Sequence, residues 1–254
     1  MPPDCLYLYH IKLILSMILS NTFTDFLFFI TGILILALFL YKVFFLRNPK
    51  RKIPLGDNIV SPADGKIVKI IKYDYEKEPL ANADGFEIRE NKLGKVLVKT
   101  KDVSPRGWLI VIMMNIHNMH RQKAPLDGEI ISIKYFKGRF FNAIRKAHNM
   151  RASLENENNE ILMRTAIGNI KVIQVAGIVA KKIVCAVKKG QIVAKGDALG
   201  LIRLGSQVIL VLPASTIGGT ENDIELKIKE RDKVKAGSSV IAEIKTIGKG
   251  IFDW

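Results

Sequence analysis

Two textures of apolar patterning divide the chain near residue 53. Ahead of it, residues 26–41 read FLFFITGILILALFLY without a charge, and after Lys42 the apolar run resumes as VFFL. At 1.5 Å per residue, about 20 residues cross a hydrocarbon core of roughly 30 Å. The stretch 26–46 therefore predicts a transmembrane helix, with Lys42 snorkelling to the interface. A shorter apolar run over 13–19 predicts an interfacial helix or, taken as 7–20, one arm of a hairpin with that span. Arg47, Lys50, Arg51 and Lys52 follow at once and predict that the downstream part faces the cytoplasm. A cleavable signal peptide fits less well, because no small-residue cleavage site follows an apolar stretch. The expected division is a membrane anchor over 1–52 and a second domain over 53–254.

Beyond Pro54 the texture changes to short runs of Ile and Val broken by Gly, Asp and Lys. KIVKIIKY (66–73), KVLVKT (95–100), WLIVIMM (108–114), EIISIKYF (129–136), IKVIQVAGIVA (170–180) and QVILVLP (207–213) all read as strands. Only 139–155 reads as helical or irregular. The expected fold class is mainly β (α+β), a β-sandwich or barrel-sandwich domain behind an N-terminal transmembrane helix. Internal repeats support it. PADGKI (62–67) recurs as PLDGEI (125–130), and VAKG (193–196) is echoed by VKAG (234–237). Paired hairpins with such turns suggest a pseudo-symmetric sandwich of the kind seen in biotinyl and lipoyl carriers. The carrier lysine between two methionines is absent.

Composition narrows the partners. Of 254 residues, 48% are hydrophobic and 25% charged, which excludes a disordered or collagen-like chain. Lys plus Arg number 39 against 24 Asp plus Glu, a net charge of +15 that points to an anionic partner, nucleic acid or acidic lipid. No nucleic-acid motif accompanies the charge, and nucleic acid is not expected. Cys5 and Cys185 fit neither a disulfide framework nor a zinc site, so a reducing compartment is expected.

Three places could carry chemistry. Asp64 sits in the turn SPADG (61–65), a pattern that is usually a structural Asx-turn. His117 and His120 follow the apolar strand WLIVIMM. They lack a carboxylate or thiol at ligand spacing, so no metal is expected. Gly205-Ser206 precedes QVILVLP; a residue without Cβ leaves its carbonyl open to attack. Gly237-Ser238 is a competing copy, and neither has the G-x-S-x-G form of a nucleophile elbow. Each place alone reads as structural; together Asp, His and Ser are the ingredients of a nucleophilic triad.

In order along the chain, these motifs resemble those of the phosphatidylserine decarboxylases, the short bacterial and archaeal type above all. FFLRNPKRKIP (44–54) is similar to the family's aromatic-Arg-Asp/Asn-Pro segment after the anchor, and SPADGKI (61–67) to its Pro-Ala-Asp-Gly turn. NMHRQKAPLDGEI (118–130) resembles its His-x-x-Arg-Ala-Pro-x-x-Gly pattern. KAHNMRASLENENNE (146–160) resembles the segment ending in Glu-Asn-Glu, and KGQIVAKGDALGLIRLGSQVILVLP (189–213) the Gly-Leu-Ile-Arg-Phe-Gly-Ser signature. Gln207 and Ile209 stand where the bacterial short form has Arg and Asp, and 115–118 departs from its Asp-Val-His.

The resemblance implies a pyruvoyl-dependent proenzyme. Ser206 would attack the carbonyl of Gly205, split the chain into 1–205 and 206–254, and become a covalent pyruvoyl group that forms a Schiff base with the substrate amine. His120, oriented by Asp64, would serve as base, with His117 as helper. The implied reaction turns a serine phospholipid into the ethanolamine phospholipid and CO2 at the cell membrane, by a heterodimer of the chain's own two pieces. High Lys, Ile and Asn suggest an archaeal source and thus archaetidylserine. The rival expectation is a membrane-tethered β-sandwich binding or carrier module without catalysis.

Overall fold

The computed structural model describes residues 3–40, 42, 47–74, 86–90, 94–115, 117–137, 157–176, 183–202, 206–216 and 223–245. It divides into two units, Met1–Arg47 and Asn48–Trp254. The first is a single helix, α1 (Pro3–Leu40). Residues 7–20, expected as an interfacial helix or hairpin arm, lie in the same unbroken helix as 26–40. Within it Tyr9–Phe39 is long and apolar enough to cross a membrane. Its Phe23, Phe28 and Phe39 are exposed, an apolar surface that no described residue covers. Of the expected span, residues 41 and 43–46 lie outside the described residues, as does 139–155.

The second unit is built of strands. They are β1 (Asn58–Val60), β2 (Gly65–Asp74), β3 (Phe86–Glu90), β4 (Gly94–Val98), β5 (Arg106–Met114), β6 (Arg121–Lys123), β7 (Gly128–Phe136) and β8 (Asn158–Thr165). There follow β9 (Gly168–Ala176), β10 (Ile183–Cys185), β11 (Ile192–Val193), β12 (Ala198–Ile202), β13 (Ser206–Pro213), β14 (Ile224–Leu226), β15 (Lys233–Val234) and β16 (Val240–Ile244). An eight-stranded antiparallel sheet runs β11-β7-β8-β9-β13-β5-β2-β15, joined by two three-stranded sheets, β1-β16-β14 and β6-β12-β10, and a β3-β4 hairpin. The mainly β class read from the alternation is the class observed.

Strand β13 lies at the centre. It pairs with β5 from Ser206↔Met114 to Pro213↔Gly107, and with β9 from Ser206↔Ala176 to Val211↔Lys171. Its side chains alternate between two cores. Val208, Leu210 and Leu212 pack with Ile110, Ile112 and Val172, while Ile209 and Val211 pack with Leu109, Val111 and Ile173. Burial on both faces explains why VILVL is apolar at every position, where a half-exposed strand would alternate. Leu210 is fully buried. Leu210→Ala is expected to cost about 2–5 kcal/mol, measured by chemical unfolding of the full chain in detergent.

The repeats seen in the sequence correspond in space. The sheet orders are palindromic: β2, β5, β13, β15 and β16 occupy the places that β7, β8, β9, β11 and β12 occupy in the other half. The same local bonds recur. The Gly237 amide donates to the Ser61 carbonyl and the Gly196 amide to the Ala124 carbonyl, both at 2.8 Å. Across the middle, the Val60 amide donates to the Pro125 carbonyl and the Lys123 amide to the Pro62 carbonyl. The second half (β6 to β12) is contiguous, and it is inserted whole between β5 and β13 of the first.

Candidate active site

That insertion positions the candidate residues. In the second half, β8 and β9 are joined by a tight hairpin closed at Thr165↔Gly168. The matching pair in the first half is Met114↔Ser206, and here the hairpin is open: the chain leaves at Met114 and returns at Ser206 after the whole second half. The exit carries His117 and His120, and the return carries the Gly-Ser pair. Topology thus gathers two motifs that are far apart in sequence. The backbone of Ser206 starts β13; Gly205 and the Ser206 side chain lie outside the described residues. The competing Gly237-Ser238 forms a hydrogen-bonded turn, with the Ser238 and Ser239 amides donating to the Lys235 carbonyl. Gly237 has φ of 69°, a backbone that favours glycine for conformational reasons.

His120 is fully buried. Its Nδ1 lies 2.8 Å from the Asn118 carbonyl. A carbonyl only accepts, so Nδ1 carries the proton and the neutral ring's Nε2 is the basic nitrogen. The His120 carbonyl accepts from the Ile202 amide at 3.1 Å, which ties it to the end of β12 three residues before Gly205. It also accepts from Gln122 Nε2 at 2.8 Å. Gln122 Oε1 accepts from Gln174, whose Oε1 accepts from Asn159. This chain of buried amides fixes the histidine's backbone to β8 and β9. Ahead of it, the Asn115 amide donates to Asn118 Oδ1 and the Asn118 amide to the Asn115 carbonyl, closing a turn in which His117 is exposed.

Asp64 is buried at the head of β2. Arg51 grips it with both Nη atoms, Nη2 to Oδ2 at 2.8 Å. The Ala236 amide donates to Oδ1 at 2.8 Å and the Met119 amide to Oδ2 at 3.3 Å. Burial alone would raise this carboxyl, but the Arg51 guanidinium and the two amides together hold it below the ordinary carboxylate range. Its hold is on the backbone next to His120, where the motif reading had it orient the imidazole. The ring's Nδ1 contact is the Asn118 carbonyl.

The equivalent aspartate in the other half, Asp127, is exposed and accepts from the Lys195 amide at 2.7 Å. Asp64→Asn strands a half-buried guanidinium and is expected to cost roughly 1–3 kcal/mol, with Asp127→Asn costing less. A carboxylate with a depressed pKa stabilises the fold above its unfolded value, about 3.9, and that stability is lost as pH falls through the depressed value. The gap in unfolding free energy between the native chain and Asp64→Asn should hold at neutral pH and close only below about pH 4.

Sequence reasoning did not single out Arg51 or the glutamines. Arg51 sat in a basic cluster read as an orientation signal. Gln174 interrupts an apolar strand, and such an interruption at a doubly covered position is the signal that marks a buried polar network.

Comparison with known proteins supplies the class. Residues 38–242 match the family profile described as phosphatidylserine decarboxylase. A protein of Aromatoleum aromaticum named phosphatidylserine decarboxylase proenzyme is 36% identical over 209 residues, covering 82% of this chain and 80% of its own. Proteins of the same name from Burkholderia lata and Burkholderia ambifaria are 32% identical over the same shares. Fold and likeness together define an enzyme of the carboxy-lyase class. The chain belongs to the phosphatidylserine decarboxylase family.

Proposed function

We propose that this chain is a self-processing, pyruvoyl-dependent decarboxylase of a serine phospholipid. The observation that carries the reading is the opened hairpin. Ser206 heads a strand paired on both sides, and the residue that β12 ends on, Ile202, is bonded to the His120 carbonyl.

In this reading, His120 Nε2 takes the Ser206 hydroxyl proton and Oγ adds to the Gly205 carbonyl carbon. The C–N bond breaks as the amine takes a proton, leaving an ester. Elimination then releases 1–205 as a carboxylate and leaves a dehydroalanine on 206–254. Uptake of water and loss of ammonia convert that residue to a pyruvoyl group. Asn118 holds the imidazole in the required tautomer, and Asp64, through the Met119 amide, holds the segment that carries it.

The residues present fit such a group: one formed at position 206 would stand at the head of β13 between Met114 and Ala176, tethered through Gln207, which pairs with Met113 and Val175. Once formed, it supplies an electron-accepting carbonyl for loss of CO2 from the serine head group. His120 is the residue to return a proton to the head-group carbon, with the exposed His117 close by in sequence. In this reading helix α1 anchors the enzyme beside its substrate, and Arg47, Lys50, Arg51 and Lys52 favour a cytoplasmic second unit. The working form is a heterodimer of the chain's two pieces.

Intact mass spectrometry of the purified protein tests the reading. It should show two chains parting before Ser206, the smaller one lighter by the mass of ammonia than simple hydrolysis gives and blocked to Edman degradation. One unbroken chain, as a non-catalytic carrier module would give, or a break before Ser238, refutes it. Assay against ester-linked phosphatidylserine and ether-linked archaetidylserine separates the two tail chemistries.

A further inference from the structure

A cavity of about 360 Å³ opens beside Asp64, where the two halves meet. It is lined by Lys50, Arg51, Lys123, Met119 and the turns at Gly196 and Gly237. The two glycines are counterparts in the repeat, both with positive φ, and a Cβ built on Gly237 would come 3.7 Å from the Gly196 Cα. The Lys123 stem runs along Gly237, its Cγ also 3.7 Å from that Cβ position. No carboxylate of the described residues lines the cavity. The Asp64 carboxylate nearby is already taken up by Arg51 and two amides. Neither Lys50 nor Lys123 forms an ion pair among the described residues. Two uncompensated ammonium groups at a concave site attract an anion.

We infer that this cavity binds the phosphate of the substrate head group, with Lys50 and Lys123 as its ligands. The inference rests on the decarboxylase reading for the identity of the anion. In a serine phospholipid the phosphate is joined through one methylene to the carbon bearing the amine and carboxylate. A phosphate site must therefore sit close to the reacting group, and Met119, on the cavity wall, immediately precedes His120 in the chain.

The test uses the full-length protein and the variants Lys50→Gln, Lys123→Gln and their double. Lys188→Gln, a charge loss on an exposed turn away from the cavity, is the control. With phosphatidylserine in phosphatidylcholine vesicles, every variant should self-cleave. KM should rise about tenfold or more for the double variant, as expected for losing charge-assisted bonds, with kcat little changed and the control unaffected. Calorimetry with inorganic phosphate, which needs neither cleavage nor turnover, should show saturable binding that the double variant loses. An unchanged KM, an equal rise in the control, or phosphate binding that survives the double substitution overturns the inference. Phosphate binding lost without a change in KM marks a free-phosphate site and overturns the head-group assignment. A chain that binds phosphate through these lysines yet stays uncut retains the anion site while the decarboxylase reading fails.

Discussion

Replacing Ser206 by alanine is expected to yield one uncut chain of full length with no measurable decarboxylation. The effect is large because, in the proposed mechanism, two events depend on one oxygen atom. Without Oγ nothing attacks the Gly205 carbonyl, and no other group in the chain becomes the electron-accepting carbonyl afterwards. The fold should survive. Only a hydroxyl is removed from the first residue of β13, while the backbone pairings with Met114 and Ala176 persist. A thermal transition close to that of the native protein would show this. Ser238→Ala should cleave normally, since Ser238 sits in a closed turn. If Ser206→Ala is still cut, or if Ser238→Ala is the variant that stays whole, the assignment of the scissile bond is wrong.

The second large effect is expected at His120. His120→Gln should slow self-cleavage by about 10²–10⁴-fold, the usual contribution of a positioned proton acceptor. Glutamine approximates the volume of the ring and leaves the His120 backbone carbonyl free to accept from Ile202 and Gln122. Loss of rate with an unchanged unfolding midpoint therefore separates chemistry from collapse of the site. The time course of the two chains appearing after synthesis in a cell-free system gives the rate directly. The exposed His117 should matter far less, with His117→Gln within about tenfold of the native rate. Equal losses at the two histidines would move the proton acceptor away from His120.

Much of the fold was legible because its strands carry strong local signals. Doubly covered strands such as β5 and β13 show as unbroken apolar runs. The two Asp-Gly turns announced the repeat, since identical turn chemistry was needed in each half. The candidate site was legible as three motifs, yet their meeting was not. Nothing local tells that the second half is threaded between β5 and β13, because register between distant strands is set by tertiary packing.

The contacts of Asp64 were not legible for the same reason. Its partner Arg51 is distant from any motif histidine in sequence, and the Asn118 carbonyl that sets the imidazole is backbone, invisible to a search by residue type. The N-terminal segment differs as well. A helix continues across polar 20–24, where the Thr22 and Thr24 hydroxyls donate to carbonyls four residues back. Sequence polarity there suggested a break that the helix absorbs.

The interleaving of the two halves has a consequence for a molecule severed before Ser206. The C-terminal piece contributes the middle strand of the large sheet, and β16 is the middle strand of a small one. Neither can be withdrawn without stripping neighbours on both flanks. Scission at the mouth of an already opened hairpin alters covalent order and leaves the strand partners of residues 207–213 in place. The pair of polypeptides should therefore melt in one step, at a temperature that falls on dilution because unfolding also parts the two pieces.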